Sequence, residues 1–232
     1  ADQERHADAA FIQAPLAATE GTGGADAAMA RVANVDVFRT VVAGKQNERF
    51  IGQLHLVQAF QQPADVGVEI MRQGGNAIDA AVAVGYALAV TNPCCGNLGG
   101  GGFATLHLAD GRDVFLNFRE KAPGAATARM FLDDKGEPVK DASLKGYLAA
   151  GVPGSVMGLD TLLTKYGTMP RDKVMAPAIK LAEEGFILNQ GDGDILGSSL
   201  KSFAETPNVA AIFLNNGQPW KAGDKLVQTN LA

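Results

Sequence analysis

Four consecutive glycines, residues 99–102, lie where the chain changes from a helical to an extended pattern. Before them, "NAIDAAVAVGYALAVTNP" is apolar on nearly all sides, which predicts a buried helix. After them, "FATLHLA" and "DVFLNF" flank Asp110, Gly111 and Arg112, a pattern typical of a β-hairpin. Because glycine has no Cβ, we expect the run either to adopt positive φ angles or to let another backbone or a ligand approach closely.

The other periodic segments predict helices with defined ends. Asn76 precedes the apolar segment and Asp79 follows three residues later, the spacing of a capping box. An earlier helix is predicted over "PADVGVEIMRQGG", with Val66, Ile70 and Met71 on its buried face. Helices are also predicted over "PGSVMGLDTLLTKYG" and "RDKVMAPAIKLAEEG", each ending at its last glycine, whereas "NVAAIFL" fits a strand or a short apolar helix.

The first part of the chain differs from the rest. Residues 1–49 are rich in Ala, Gly and charged residues and lack a sustained period, which predicts a loosely ordered tail before one domain over residues 50–232. The tail shows no apolar core of a signal peptide after a basic start. The residues alone therefore leave export open.

Composition excludes several classes of partner. The net charge is −5 and no cluster of Lys and Arg is interleaved with aromatic residues, so we do not expect nucleic acid to bind. No apolar run approaches the roughly 18 residues of a membrane helix, so we expect no membrane insertion. His6, His55 and His107 have no metal-binding spacing, and Cys94 and Cys95 predict small buried thiols or a vicinal disulfide. We therefore expect no metal.

The glycine run partly matches a nucleotide-binding fingerprint. Gly99, Gly101 and Ala104 fit G-x-G-x-x-[GA], which binds pyrophosphate only where it follows a strand and begins a helix. Here the predicted order is reversed, so we expect no nucleotide. No nucleophile is evident either, because Ser155 lacks the G-x-S-x-G spacing.

Arg119 and Glu120 are the candidate binding residues, at the end of the second predicted strand. A guanidinium there can hold a carboxylate through two parallel hydrogen bonds, so Arg119 is a candidate ligand for an amino-acid substrate. The alternative is an Arg–Glu pair at a sheet edge, which the residues alone favour.

Five segments resemble a known family. "MRQGGNAIDAAVAVGYALAVTNP", "GNLGGGGF", "NFREKAPGAATARMFLD", "AAGVPGSVMGLDTLLTKYGTMP" and "KVMAPAIKLAEEGFIL" are similar, in order, to the N-terminal half of the large subunit of bacterial γ-glutamyltransferases, also called glutathione hydrolases. The resemblance begins near Gln62 and runs to the end of the chain. It implies an α+β N-terminal nucleophile hydrolase fold, a four-layer αββα sandwich to which this chain contributes part.

The resemblance also implies a mechanism. In that family a precursor cleaves itself into a large and a small subunit, and the new N-terminal Thr of the small subunit attacks the γ-glutamyl amide of glutathione and related compounds. The glutamyl group then passes to water or to an amino-acid acceptor, without cofactor or metal. The resemblance thus implies no catalytic residue in this chain, a small catalytic subunit as partner, and a periplasmic or secreted location.

The family pattern assigns roles to the two candidate residues. Arg119 matches the arginine that binds the substrate α-carboxylate, which reverses the preference for a sheet-edge pair. Glu120 matches an acidic neighbour that orients the arginine or meets the substrate amine. Cys94, Cys95 and the segment "IGQLHLVQAFQQPAD" depart from the family pattern.

Other functions remain as alternatives at this point. Within the family the chain is also compatible with a cephalosporin or glutaryl acylase. Outside catalysis, it is compatible with an amino-acid-binding relative that lost the nucleophile, or with a purely structural partner subunit. A small subunit beginning with Thr and encoded downstream separates the enzymes from the last two.

Overall fold

The computed structural model describes residues 61–92, 95–96 and 98–232, so the predicted tail over residues 1–49 lies outside the described residues. The helices are α1 (61–72), α2 (Ala77–Thr91), α3 (Ser155–Tyr166), α4 (Arg171–Glu184), α5 (Gln190–Ser198), α6 (Leu200–Ala204) and α7 (Pro207–Phe213), with a 3-10 turn at Tyr147–Ala149. The strands are β1 (Phe103–His107), β2 (Asp113–Asn117), β3 (Phe186–Ile187) and β4 (Lys225–Leu226). The mixture of helices and antiparallel strand pairs is of the predicted α+β class.

Helix α2 lies at the centre of the core and packs against α3 and α4. Val82, Ala83 and Ala87 are fully buried, so this helix has the burial that its apolar sequence predicts. The predicted capping box is confirmed: Asn76 Oδ1 accepts hydrogen bonds from the N–H groups of Ile78 and Asp79, and the Asn76 N–H donates to Asp79 Oδ2 at 2.8 Å.

Asp79 also connects α2 to the loop between α3 and α4. Its carboxylate accepts hydrogen bonds from the Thr168 N–H at 2.9 Å, the Thr168 hydroxyl at 2.7 Å and the Met169 N–H at 3.1 Å. Burial by itself raises the pKa of Asp79, but these hydrogen bonds and the one from Asn76 outweigh it and lower the pKa below its ordinary value. The buried carboxylate is therefore ionised and fully paired at neutral pH.

Helix α1 differs in one respect from the sequence prediction. Ile70 is fully buried and Val66 packs against the core, as predicted, but Met71 is 38% exposed. Val66 and Ile70 are four residues apart and lie on one side of the helix, whereas Met71 is turned about 100° further round the axis. The placement of Met71 on the buried face was therefore wrong.

Strands β1 and β2 form the predicted hairpin. The register pairs Phe103 with Asn117 and Leu106 with Val114, and Gly111 in the turn has φ +83°. Leu106 is buried and faces the core, while Phe103 on the other face is exposed. The hairpin thus has one face on the core and one open face.

The last part of the chain folds back onto the core. β4 pairs with β3, and the buried Gln228 side chain donates to the Val90 carbonyl of α2 at 2.8 Å. The segment "NVAAIFL", which fits either a strand or a short apolar helix in the sequence, lies largely in helix α7. No helix within the described residues is long and apolar enough to cross a membrane.

The predicted buried thiols are not found at the one cysteine that is described. Cys95 is exposed, so the buried-thiol alternative was wrong for this residue. Cys94 lies outside the described residues.

We predict that Asp79→Asn lowers the free energy of unfolding by about 2–4 kcal/mol at pH 7, because donors that face a carboxylate would then meet an amide that also donates. The folded-state pKa of Asp79 lies below the unfolded one, so its contribution is present above roughly pH 4 and is lost as the pH falls through the folded-state pKa. The difference between wild type and variant should therefore shrink in acid. Urea unfolding followed by circular dichroism measures both effects.

Asp192→Asn is the matched control, since Asp192 has the same place in the capping box of α5. Burial raises the pKa of Asp192, so its ionisation opposes folding, and the variant should stay within about 1 kcal/mol of wild type at pH 7. Equal losses for the two variants would show that capping, and not the contacts with Thr168 and Met169, explains the effect of Asp79.

Candidate functional site

The segment that carries Arg119 is fixed at both of its ends. On one side, the Phe118 N–H donates to the Gly102 carbonyl at 3.0 Å, which extends the hairpin by one pair. On the other side, Lys121 and Val152 exchange backbone hydrogen bonds of 2.8 and 3.2 Å. Arg119 therefore lies between two anchored residues at the open end of the hairpin.

The glycine run packs against this segment. A Cβ on Gly101 would lie 2.5 Å from the Phe118 carbonyl oxygen and 2.9 Å from Arg119 Cα. Gly101 and Gly102 have no positive φ angle, so the run serves close approach and not an unusual backbone conformation. The approaching group is the backbone of the candidate site itself.

Two further glycines, at the start of α3, pack against Phe118 of the same segment. A Cβ on Gly154 would overlap the Phe118 carbonyl oxygen, and one on Gly158 would overlap the Phe118 ring. The Gly100 carbonyl accepts hydrogen bonds from the N–H groups of Gly154 at 2.8 Å and Ser155 at 3.0 Å, so it satisfies donors at the start of α3. The glycine run follows a helix and precedes a strand, as predicted. The two N–H groups at the start of α3 are hydrogen-bonded to the protein's own Gly100 carbonyl.

Arg119 and Glu120 form the pair that the sequence brings together. Arg119 Nε donates to Glu120 Oε2 at 3.0 Å, and the side chains are 60% and 34% exposed. The Arg119 backbone N–H donates to Asn117 Oδ1, and its guanidinium carbon lies 5.6 Å from the centre of the Phe103 ring. Hydrogen bonds from its own backbone N–H and from the Arg119 side chain lower the pKa of the Glu120 carboxyl, so it is ionised at neutral pH.

The geometry leaves one edge of the guanidinium available. Nε is bound to Glu120, and among the described residues no acceptor bonds the two terminal nitrogens of Arg119. An exposed ion pair of this kind contributes only about 0–1 kcal/mol to stability, so folding does not account for it. The terminal nitrogens can instead bind a carboxylate with two parallel hydrogen bonds. Across the described part of the chain, no group of three His, Cys, Asp or Glu side chains is placed to hold a metal ion.

Sequence reasoning missed three residues of this site. Phe103 lies under the guanidinium, and Gly154 and Gly158 admit Phe118 against α3. The alternation in β1 places Phe103 on the open face of the hairpin, and a G-x-x-x-G spacing at a helix start is typical of close helix packing. Neither pattern identifies the distant residue that Phe103 or these two glycines contact.

Comparisons with known proteins show which family this chain is similar to. The sequence profile of the family described as "Gamma-glutamyltranspeptidase" matches residues 63–232. The "Glutathione hydrolase proenzyme" of Pseudomonas sp. (strain A14) is 52% identical over 200 residues, which cover 86% of this chain and 34% of that protein. The crystal structure of Helicobacter pylori gamma-glutamyltranspeptidase superposes with a TM-score of 0.71 at 46% identity, over 74% of this chain and 49% of that one.

Acylases are also among the similar proteins. The "Acylase ACY 1 proenzyme" of Pseudomonas sp. (strain V22) is 38% identical over 172 residues, which cover 72% of this chain and 31% of that protein. The chain thus spans about a third of the length of these curated relatives. The resemblance in sequence is stronger to the glutathione hydrolase than to the acylase.

We predict that Gly101→Val destabilises the protein by about 2–4 kcal/mol, because its side chain would displace the Phe118–Glu120 backbone. Gly124→Val is the matched control: Gly124 has open space around it and no positive φ, so this variant should stay within about 0.5 kcal/mol of wild type. Thermal unfolding of both variants measures the difference. Equal stability of the two would contradict the close approach at Gly101.

Proposed function

The chain belongs to the γ-glutamyltranspeptidase family, and from this we propose that it is part of the large subunit of an enzyme that cleaves γ-glutamyl amides such as glutathione. The glutamyl group passes to water or to an amino-acid or peptide acceptor through an acyl-enzyme on a small-subunit Thr. We place the enzyme in the periplasm or outside the cell. N-terminal nucleophile hydrolases of this kind have the four-layer sandwich expected from the sequence, to which the described helices and strands contribute part.

The unpaired edge of Arg119 is the observation that carries the proposal. Arg119 lies at the end of β2, its backbone is anchored on both sides, and its terminal nitrogens have no acceptor among the described residues. An α-carboxylate approaching along this edge receives two charge-assisted hydrogen bonds.

Glu120 has a supporting role in the proposal. Its carboxylate binds Nε of Arg119 and so selects the terminal edge, and not the Nε side, for the substrate. Glu120 immediately precedes Lys121, whose backbone is paired with that of Val152. Glu120 is thus suited to orient Arg119 and to attract the α-amino group of the substrate.

Exposed apolar side chains support the proposal of a protein partner. Leu144 and Tyr147 are 78% and 101% exposed. Large exposed apolar groups of this kind mark surfaces that other protein covers. Since the matched part of this chain covers only 34% of a relative that is named a proenzyme, we assign these surfaces to contacts with the remainder of the precursor, including the small subunit.

A glutaryl or cephalosporin acylase is the second candidate, supported by the acylase relative. A glutaryl side chain keeps the terminal carboxylate but lacks the α-amine, so it can bind the free guanidinium edge but offers no amine to the Glu120 carboxylate. Activity on γ-glutamyl-p-nitroanilide compared with glutaryl-p-nitroanilide separates the two functions. A strong preference for the glutaryl compound would replace the first proposal with the second.

In the mature two-chain enzyme, Arg119→Ala is expected to lower kcat/KM for γ-glutamyl-p-nitroanilide by about two to four orders of magnitude, the equivalent of two charge-assisted hydrogen bonds. Arg119→Lys keeps the charge but loses the planar fork, so it should recover only part of the activity. 4-Aminobutyryl-p-nitroanilide is the control substrate, because it keeps the amine of the γ-glutamyl group and lacks the carboxylate. If Arg119→Ala slows both substrates by the same factor, Arg119 is structural and does not bind the carboxylate.

Residues 1–232 alone are expected to hydrolyse no γ-glutamyl-p-nitroanilide above background, because the nucleophile is assigned to another subunit. The purified full-length enzyme should contain a second chain whose N-terminal sequence begins with Thr, as shown by mass spectrometry and Edman degradation. Activity of the 232-residue chain alone, or a second chain with another first residue, would overturn the assignment.

A further inference from the structure

The open face of the hairpin carries an aromatic pair next to Arg119. Phe103 and Phe115 lie on this face, on β1 and β2, with ring centres 5.6 Å apart and planes inclined by 22°. Phe103 is opposite Asn117 in the register, so its ring is close to where β2 leads into Arg119. An exposed Phe contributes little to the core, which leaves the stacked arrangement to be explained.

The Arg119 guanidinium lies over the Phe103 ring. The distance from its central carbon to the ring centre is 5.6 Å, within the range of a cation–π contact. The face of the ring attracts the cation, and Nε is held by Glu120 at the same time. Two contacts from different directions therefore restrict the long arginine side chain.

Such restriction matters for ligand binding. An arginine loses much rotamer freedom when it binds a carboxylate, and a side chain already held in place loses less. The backbone of Arg119 is fixed by the contact to Asn117 and by the close packing on Gly101, but neither fixes the guanidinium. The guanidinium is held by the Phe103 ring and the Glu120 carboxylate.

We propose that Phe103 is a positioning residue, whose ring face holds the Arg119 guanidinium with its terminal nitrogens directed to the substrate carboxylate. This inference rests on the proposed function, in which Arg119 binds the α-carboxylate. Phe103 does not touch the substrate in this arrangement and acts only through Arg119.

Substitution of Phe103 in the mature two-chain enzyme tests the inference. Phe103→Leu keeps an apolar side chain but removes the ring face, and should raise KM for γ-glutamyl-p-nitroanilide about 3- to 30-fold with kcat changed less than about threefold. Phe103→Tyr keeps the ring face and should stay within about threefold of wild type. Phe115→Leu is the matched control, because it removes the stacked neighbour and leaves the ring under Arg119 in place.

If Phe103→Leu fails to mature, a second test replaces Phe103 with phenylalanines that carry one, two or three ring fluorines. Fluorine withdraws electron density from the ring face with little change of shape, so KM should rise step by step with fluorine content. The same series at position 115 should give a flat response. A flat response at position 103 would overturn the proposal.

Comparison with Arg119 variants separates the two levels of inference. In an Arg119→Ala background, Phe103→Leu should change kcat/KM by less than about twofold, because the group it positions is gone. If Arg119→Ala is costly but Phe103→Leu has no effect, or Phe103→Leu equally slows 4-aminobutyryl-p-nitroanilide, which lacks the carboxylate, only the positioning role is wrong. If Arg119→Ala itself has no selective effect, the proposed function has failed.

Discussion

The close approach between three glycines and the segment Phe118–Glu120 is the contact on which the candidate site depends. Gly101 meets this segment from the hairpin side, and Gly154 and Gly158 meet Phe118 from α3. Protein interiors are packed too densely to absorb an added side chain without a shift of the backbone. Because Arg119 belongs to the segment that would shift, the missing Cβ atoms determine where the Arg119 backbone lies.

A buried carboxylate connects this contact to the core. Asp79 caps α2 and also binds the N–H groups of Thr168 and Met169, just beyond the end of α3. The start of the same helix carries the glycines that receive Phe118. The position of α3 relative to α2 is therefore set at one end by Asp79, and the site is built at the other end.

Stability and binding are assigned to different residues. Asp79 is buried and fully hydrogen-bonded, whereas Arg119 and Glu120 are exposed, where an ion pair adds little to folding. The restraints on Arg119 make better sense as preorganisation, since a guanidinium held before the ligand arrives loses less entropy on binding.

The sequence by itself determined the local structure, because capping at Asn76 and the turn at Gly111 depend on residues only a few positions apart. It also indicated Arg119 and Glu120 through resemblance to a family. Only the tertiary structure decided that the glycines admit a backbone and that Phe103 lies under Arg119. Such contacts join residues distant in the chain, and their partners follow from how helices and strands pack, which no local spacing encodes.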